Sequence, residues 1–232
     1  MKKTMHRVVA IGLLVCSAAV AGHEQNPSKD WNRLREKNLQ LGLPVERVDQ
    51  TLGACRKSGL PVENADALLC SVYTAQAEGL PTECVFLKIE EGLAKRIAWT
   101  DVQAAAGNRL DCLRRADQLV MSGRQERGGQ HQHLVMHTCV ALESGLPEEV
   151  IQSVFSRPGG FRYGRVIHVI EAGETLQLSG LAPKDTLHIM HDCLDRNLNG
   201  IEVSRVVDVV LAGHRAGKDF ETIHAGLWVQ SN

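Results

Sequence analysis

The triplet Gly-Leu-Pro recurs at Gly42-Leu43-Pro44, Gly59-Leu60-Pro61, Gly79-Leu80-Pro81 and Gly145-Leu146-Pro147, and in altered form at Gly180-Leu181-Ala182-Pro183. Glycine enters the left-handed conformation that ends a helix without a Cβ penalty. Proline lacks an N–H and has a φ pre-set near the helical value, so it suits the first turn of the following helix. The leucine between them is pushed out of the α region by the proline. Each triplet therefore predicts a helix stop, a turn and a new helix. A chain punctuated in this way is constrained to stack short helices.

The segments between the stops carry apolar residues at helical spacing. Val45, Val48, Leu52 and Cys55 form one stripe, Ala65, Leu68, Leu69 and Val72 the next, and Val85, Phe86 and Ile89 a third that should end near Gly92. Thr100-x-x-Gln103 has the form of a capping box and predicts a longer helix bearing Val102, Ala106, Leu113 and Val120. A second set follows: a helix over 131–144, a short one after Pro147, and stripes through Val166 and Ile170, Leu187 and Leu194, Val203 and Val210, and Phe220 and Leu227. The valine-rich stretch has helical rather than alternating spacing, and no strand pair emerges. The expected fold is all-α, a helical-repeat-like bundle of tandem short hairpins. Its two sets, 31–122 and 130–232, should pack as one continuous domain.

Residues 42–106 laid over 163–227 place Val45 on Val166, Val48 on Val169, Gly59 on Gly180, Gly79 on Gly200, Gly92 on Gly213 and Val102 on Ile223. Few residues are identical, but the glycines, read as helix stops, and the core positions keep register together. An internal duplication is the reading this suggests.

Lys2, Lys3 and Arg7 precede an uncharged, mostly apolar run from Val8 to Ala21 that ends in Ala19-Val20-Ala21. This is the pattern of a signal peptide over 1–21, with a polar, disordered lead-in over 22–30. The mature protein is then exported, periplasmic or secreted. A lipoprotein anchored through Cys16 is less favoured, because Val15 is larger than such a site accepts. No later stretch is apolar enough to span a membrane. The formal net charge of −1 gives no electrostatic footprint for nucleic acid, and 4% aromatic content gives little stacking surface.

Six cysteines remain beyond Cys16: Cys55, Cys70, Cys84, Cys112, Cys139 and Cys193. An even number in an exported chain favours disulfides. If the helices on either side of the polar loop 123–129 form a hairpin, Cys112 and Cys139 stand at matching heights, so they are the expected pair.

Chemistry-bearing residues gather on two segments, His131-Gln132-His133-Leu134-Val135-Met136-His137-Thr138-Cys139 and His188-Ile189-Met190-His191-Asp192-Cys193. His133 and His137 share a helix face, and His188 shares one with His191 and Asp192. Imidazole with thioether and thiolate suits copper, and imidazole with carboxylate or thiolate suits zinc. His133, His137, His188 and His191 are thus the candidate metal ligands. The competing reading makes His191 a half-buried residue on the Leu187–Met190–Leu194 face. Asp195-x-Asn197-x-Asn199-Gly200 imitates the start of a calcium loop but has Val206 where the bidentate glutamate belongs; a turn with Asn199 as helix cap accounts for it better. No G-x-S-x-G or H-E-x-x-H occurs, and no catalytic or cofactor-binding residue stands out. The Gly-rich loop from Ser156 to Gly164 sets Phe161, Arg162 and Tyr163 beside Arg157 and Arg165, a composition suited to binding a partner. The leading functional expectation is an interaction or structural role with a protein or peptide partner. A copper- or zinc-binding protein is the alternative, and a hydrolase with an unidentified site the third.

Overall fold

The computed structural model describes residues 27–123, 130–157 and 163–228. Within them lie eleven α-helices and no strand: α1 (Pro27–Gln40), α2 (Val45–Lys57), α3 (Val62–Glu78), α4 (Thr82–Ala94), α5 (Trp99–Ser122), α6 (His131–Glu143), α7 (Glu148–Phe155), α8 (Tyr163–Leu178), α9 (Pro183–Asp195), α10 (Gly200–Arg215) and α11 (Phe220–Leu227). The all-α expectation holds. The expected signal segment 1–21 lies outside the described residues. The expected lead-in 22–30 is corrected in its last part, because α1 already begins at Pro27. Its cause is the tolerance of a first helical turn for proline, with Asp30 favourably placed against the helix dipole.

The triplets act as their chemistry dictates. Gly59 and Gly79 have φ of 70° and 71°, and the leucine after each sends its N–H back to the helix it has left, Leu60 to the Cys55 carbonyl at 3.1 Å and Leu80 to that of Ala75 at 2.9 Å. Pro44, Pro61, Pro81 and Pro147 sit at the N-cap with extended ψ rather than inside the first turn; only Pro183 of the altered form occupies the first turn itself. Two further stops carry no glycine: Arg96 and Asn197 take positive φ, 56° and 58°, and the chain turns there in the same way. The expected capping box at Thr100 is not used, since α5 starts at Trp99 after Ala98, which offers no side-chain cap. A capping box does form at Asn199 with Glu202, which is the physical content of the calcium-like stretch.

The helices pack in two layers. The odd members run side by side, α1 on α3, α3 on α5, α5 on α7 and α7 on α9, while α2 lies on α4 and α6, α8 and α10 follow one another. The 24-residue α5, about 36 Å long at the usual helical rise, also packs on α4 and α6 and bridges the early and late parts of the even layer. One hydrophobic cluster extends from Leu34 to Leu227, with Phe86, Phe155, Leu113 and Ile170 fully enclosed.

The two stretches overlaid in sequence, 42–106 and 163–227, share one close contact. Gly92 lies inside α4 with Val102 packed on its bare Cα, and Gly213 lies inside α10 with Ile223 in the equivalent place. These two glycines are therefore approach points between helices rather than stops, and Gly200 opens a helix where Gly79 closes one. The halves also differ in packing: α9 rests on α8, whereas α3 rests on α4 and α5.

Candidate metal centre

On α9, His188 and Asp192 are four residues apart and project from one face. The last helix, α11, is started by Asp219, whose carboxylate accepts from the Thr222 N–H at 2.8 Å. On the helix so capped, His224 meets α9. His224 Nε2 stands 2.6 Å from Asp192 Oδ2, and the His188 and His224 rings are 4.5 Å apart between centroids. One ligand atom from each of His188, Asp192 and His224 lies within 4.8 Å of the others. Phe220 stacks on His224 at 5.5 Å and walls off one side. His188 is exposed and the other two are half-buried, so the cluster is open to solvent on its outer side.

Asp195, one turn on from Asp192, is engaged elsewhere. Its hydrogen bond from Arg157 holds its carboxyl below the usual carboxylate range. Asp192 is left as the carboxylate that faces His224.

The four histidines expected as one ligand set separate. His188 enters the cluster just described. His191 turns away to the Ser153 hydroxyl at 3.1 Å, and burial together with Arg157 lowers its pKa. His133 and His137 meet each other on α6, Nε2 to Nε2 at 3.0 Å, and the other nitrogen of His137, Nδ1, is 3.1 Å from Glu171 of α8. The sulfur ligands of both sequence segments leave the sites altogether: Cys139, Met190 and Cys193 are fully buried and Met136 packs against the core. Burial pushes the Cys193 thiol up to about 12.

The expected Cys112–Cys139 disulfide is corrected. The two residues do stand at one height between α5 and α6, but all six described cysteines are outside any disulfide. The Cys112 thiol donates instead to the Cys139 backbone carbonyl at 3.3 Å, and the two thiols meet as hydrogen-bond partners rather than as a covalent pair. A hydrogen bond from Cys139 pulls Cys112 down, and the same contact with burial pushes Cys139 up. Glu143 completes a second triad of metal-capable groups with these thiols. Arg109, 2.6 Å from Glu143, already fills the place a cation would take there.

Of the expected binding loop, Phe161 and Arg162 lie outside the described residues, and Tyr163 is the first residue of α8. His224 and Glu171 were not among the sequence candidates. His224 is 32 positions from Asp192, and nothing local marks it. Compared with known proteins, the chain matches no family model, no curated protein sequence and no solved structure.

Proposed function

We propose that the protein is an exported metal-binding protein that holds a first-row divalent ion, zinc foremost, between α9 and α11. The observation that carries this reading is the convergence of His188, Asp192 and His224, with one ligand atom of each within 4.8 Å of the others. Ligands around tetrahedral zinc stand about 3.3 Å apart when bonds are about 2.0–2.1 Å, a spacing that side-chain rotation reaches from here. Three protein ligands leave a position for water, which suits an exchangeable ion better than a closed structural one. The burial of Met190 and Cys193 removes the soft donors that monovalent copper prefers and shifts the choice to zinc. Such a site fits metal buffering or delivery. Export rests on the basic residues Lys2, Lys3 and Arg7 ahead of the apolar run to Ala21.

Zinc calorimetry on chelator-stripped protein tests the site. The double variant His188→Ala/His224→Ala is expected to lose one equivalent of zinc, and Asp192→Asn to weaken that equivalent by about 10-fold or more. An unchanged titration in the double variant would overturn the assignment.

A second reading, an interaction role, is favoured by a different observation. The exposed large apolar side chains that lie within described helices, Val45, Leu87, Val140, Leu178, Ile201 and Val209, all belong to even-numbered helices. Exposed apolar side chains confined to the helices of one layer suit a protein or peptide partner. Co-purification from the native host tests it: a partner retained by the wild type should be lost from Leu87→Ser/Val140→Ser/Val209→Ser. Retention by that variant excludes this face.

A further inference from the structure

We propose that His133 and His137 of α6 form a second site for a zinc-like divalent ion, separate from the α9/α11 cluster, with Glu171 of α8 as the residue that positions His137. The two histidines are one helical turn apart, and their Nε2 atoms converge to 3.0 Å. Two imidazole nitrogens on one tetrahedral ion need about 3.3 Å, reached from bonds of about 2.0–2.1 Å. A few tenths of an ångström of opening therefore admits the ion.

The second shell is in place. Glu171 reaches His137 Nδ1 with Oε1 at 3.1 Å, and its other oxygen, Oε2, meets His168 Nδ1 at 3.3 Å. A carboxylate on Nδ1 holds that nitrogen's proton and leaves the lone pair of His137 on Nε2, where the ion binds. The His133–His137 contact then has His133 Nε2–H as donor. When an ion enters, that proton gives way and His133 binds through Nε2 as its Nδ1–H tautomer, so neither imidazole changes charge. α6 and α8 are direct neighbours in the even layer, so the packing that aligns the carboxylate with the ring is part of the stack itself. His133 is exposed and His137 half-buried, which leaves the remaining coordination positions to water.

The bound ion is of the imidazole-seeking class, zinc, cobalt, nickel or cupric copper, because the neighbouring thiol and thioether, Cys139 and Met136, face the core. The inference stands on α6 and α8 alone and does not depend on the α9/α11 reading.

Zinc calorimetry and cobalt absorption spectra on the full chain separate the two sites. In the His188→Ala/His224→Ala background one equivalent of zinc should still bind, and adding His133→Ala/His137→Ala should remove it. Glu171→Gln should keep the stoichiometry but weaken binding about 10–100-fold. In the metal-free protein it should also move His137 from the Nδ1–H tautomer toward a mixture, read by imidazole nitrogen NMR. His133→Ala alone, at an exposed position, leaves the helix intact and reports ligand loss if folding of the multiple variant fails. Zinc binding in the His188→Ala/His224→Ala background that survives loss of both α6 histidines overturns the proposal. So does a background that binds none, and so does a Glu171→Gln protein with unchanged affinity and tautomer.

Discussion

At Gly92 a β-carbon would stand 2.6 Å from Val102 Cγ2, and at Gly213 one would stand 2.6 Å from Ile223 Cγ1. At Gly107, inside α5, a β-carbon would meet nothing within 4 Å. Glycine costs a helix interior about 0.5–1 kcal/mol relative to alanine, so the open position should gain that amount on substitution. The two packed positions should lose stability, because overpacking a filled contact costs about 1–3 kcal/mol. Denaturant unfolding should therefore show Gly107→Ala more stable than wild type and Gly92→Ala less stable. Equal gains at both positions would mean that α4 and α5 do not meet at Gly92 as closely as described. In the sequence overlay that pairs 92 with 213, the close contact, rather than a shared role as helix stops, is what the two positions have in common. The candidate ligand histidines obey another logic. Their spacing within one helix was legible, as with His133 and His137 or His188 and Asp192, because four residues always return to the same face. Their partners on other helices, His224 and Glu171, depend on tertiary packing that no local pattern encodes.

At the scale of the element, the sequence was most legible where local chemistry decides alone. A Gly-Leu-Pro triplet leaves the backbone few choices, and helix ends at Gly59, Gly79 and Gly145 follow from it. The stops at Arg96 and Asn197 were not legible, because a non-glycine residue enters the left-handed region only when the surrounding packing offsets its cost. Leu198 illustrates the compensation: it packs against the core while its N–H bonds the Cys193 carbonyl at 3.0 Å. Thr100 misled for the converse reason. A capping-box spelling has meaning only if the helix starts there, and α5 begins one residue earlier, with Trp99 as its first member. The cysteines show the limit of a height argument. Position along a hairpin is enough to bring Cys112 beside Cys139, but it does not decide whether two neighbouring thiols bond covalently or meet as hydrogen-bond partners, as they do here.

The whole molecule is a two-layer stack, and a stack is least secured at its ends, where a helix has neighbours on one side only. α11 is such an end among the described helices. It packs on α10, and its polar tie to α9 is the His224–Asp192 contact at 2.6 Å. The two His188 and His224 ligands of the proposed centre come from the two elements this contact joins, so a bound ion would cross-link the terminal helix to the body of the stack. Linkage then sets the size of the effect: an ion present at about 100 times its dissociation constant stabilises the state that binds it by about 2.7 kcal/mol. For a terminal helix that opens locally, this corresponds to amide exchange slowed about 100-fold. Hydrogen exchange followed by mass spectrometry should show Phe220–Leu227 exchanging ahead of α5 in metal-free protein and slowing selectively when zinc is added. His224→Ala should abolish the slowing in α11 while leaving exchange in α5 unchanged. Uniform protection across all helices, or none in α11, would separate metal binding from the docking of the last helix and remove the cross-link from the account of how this end of the stack is held.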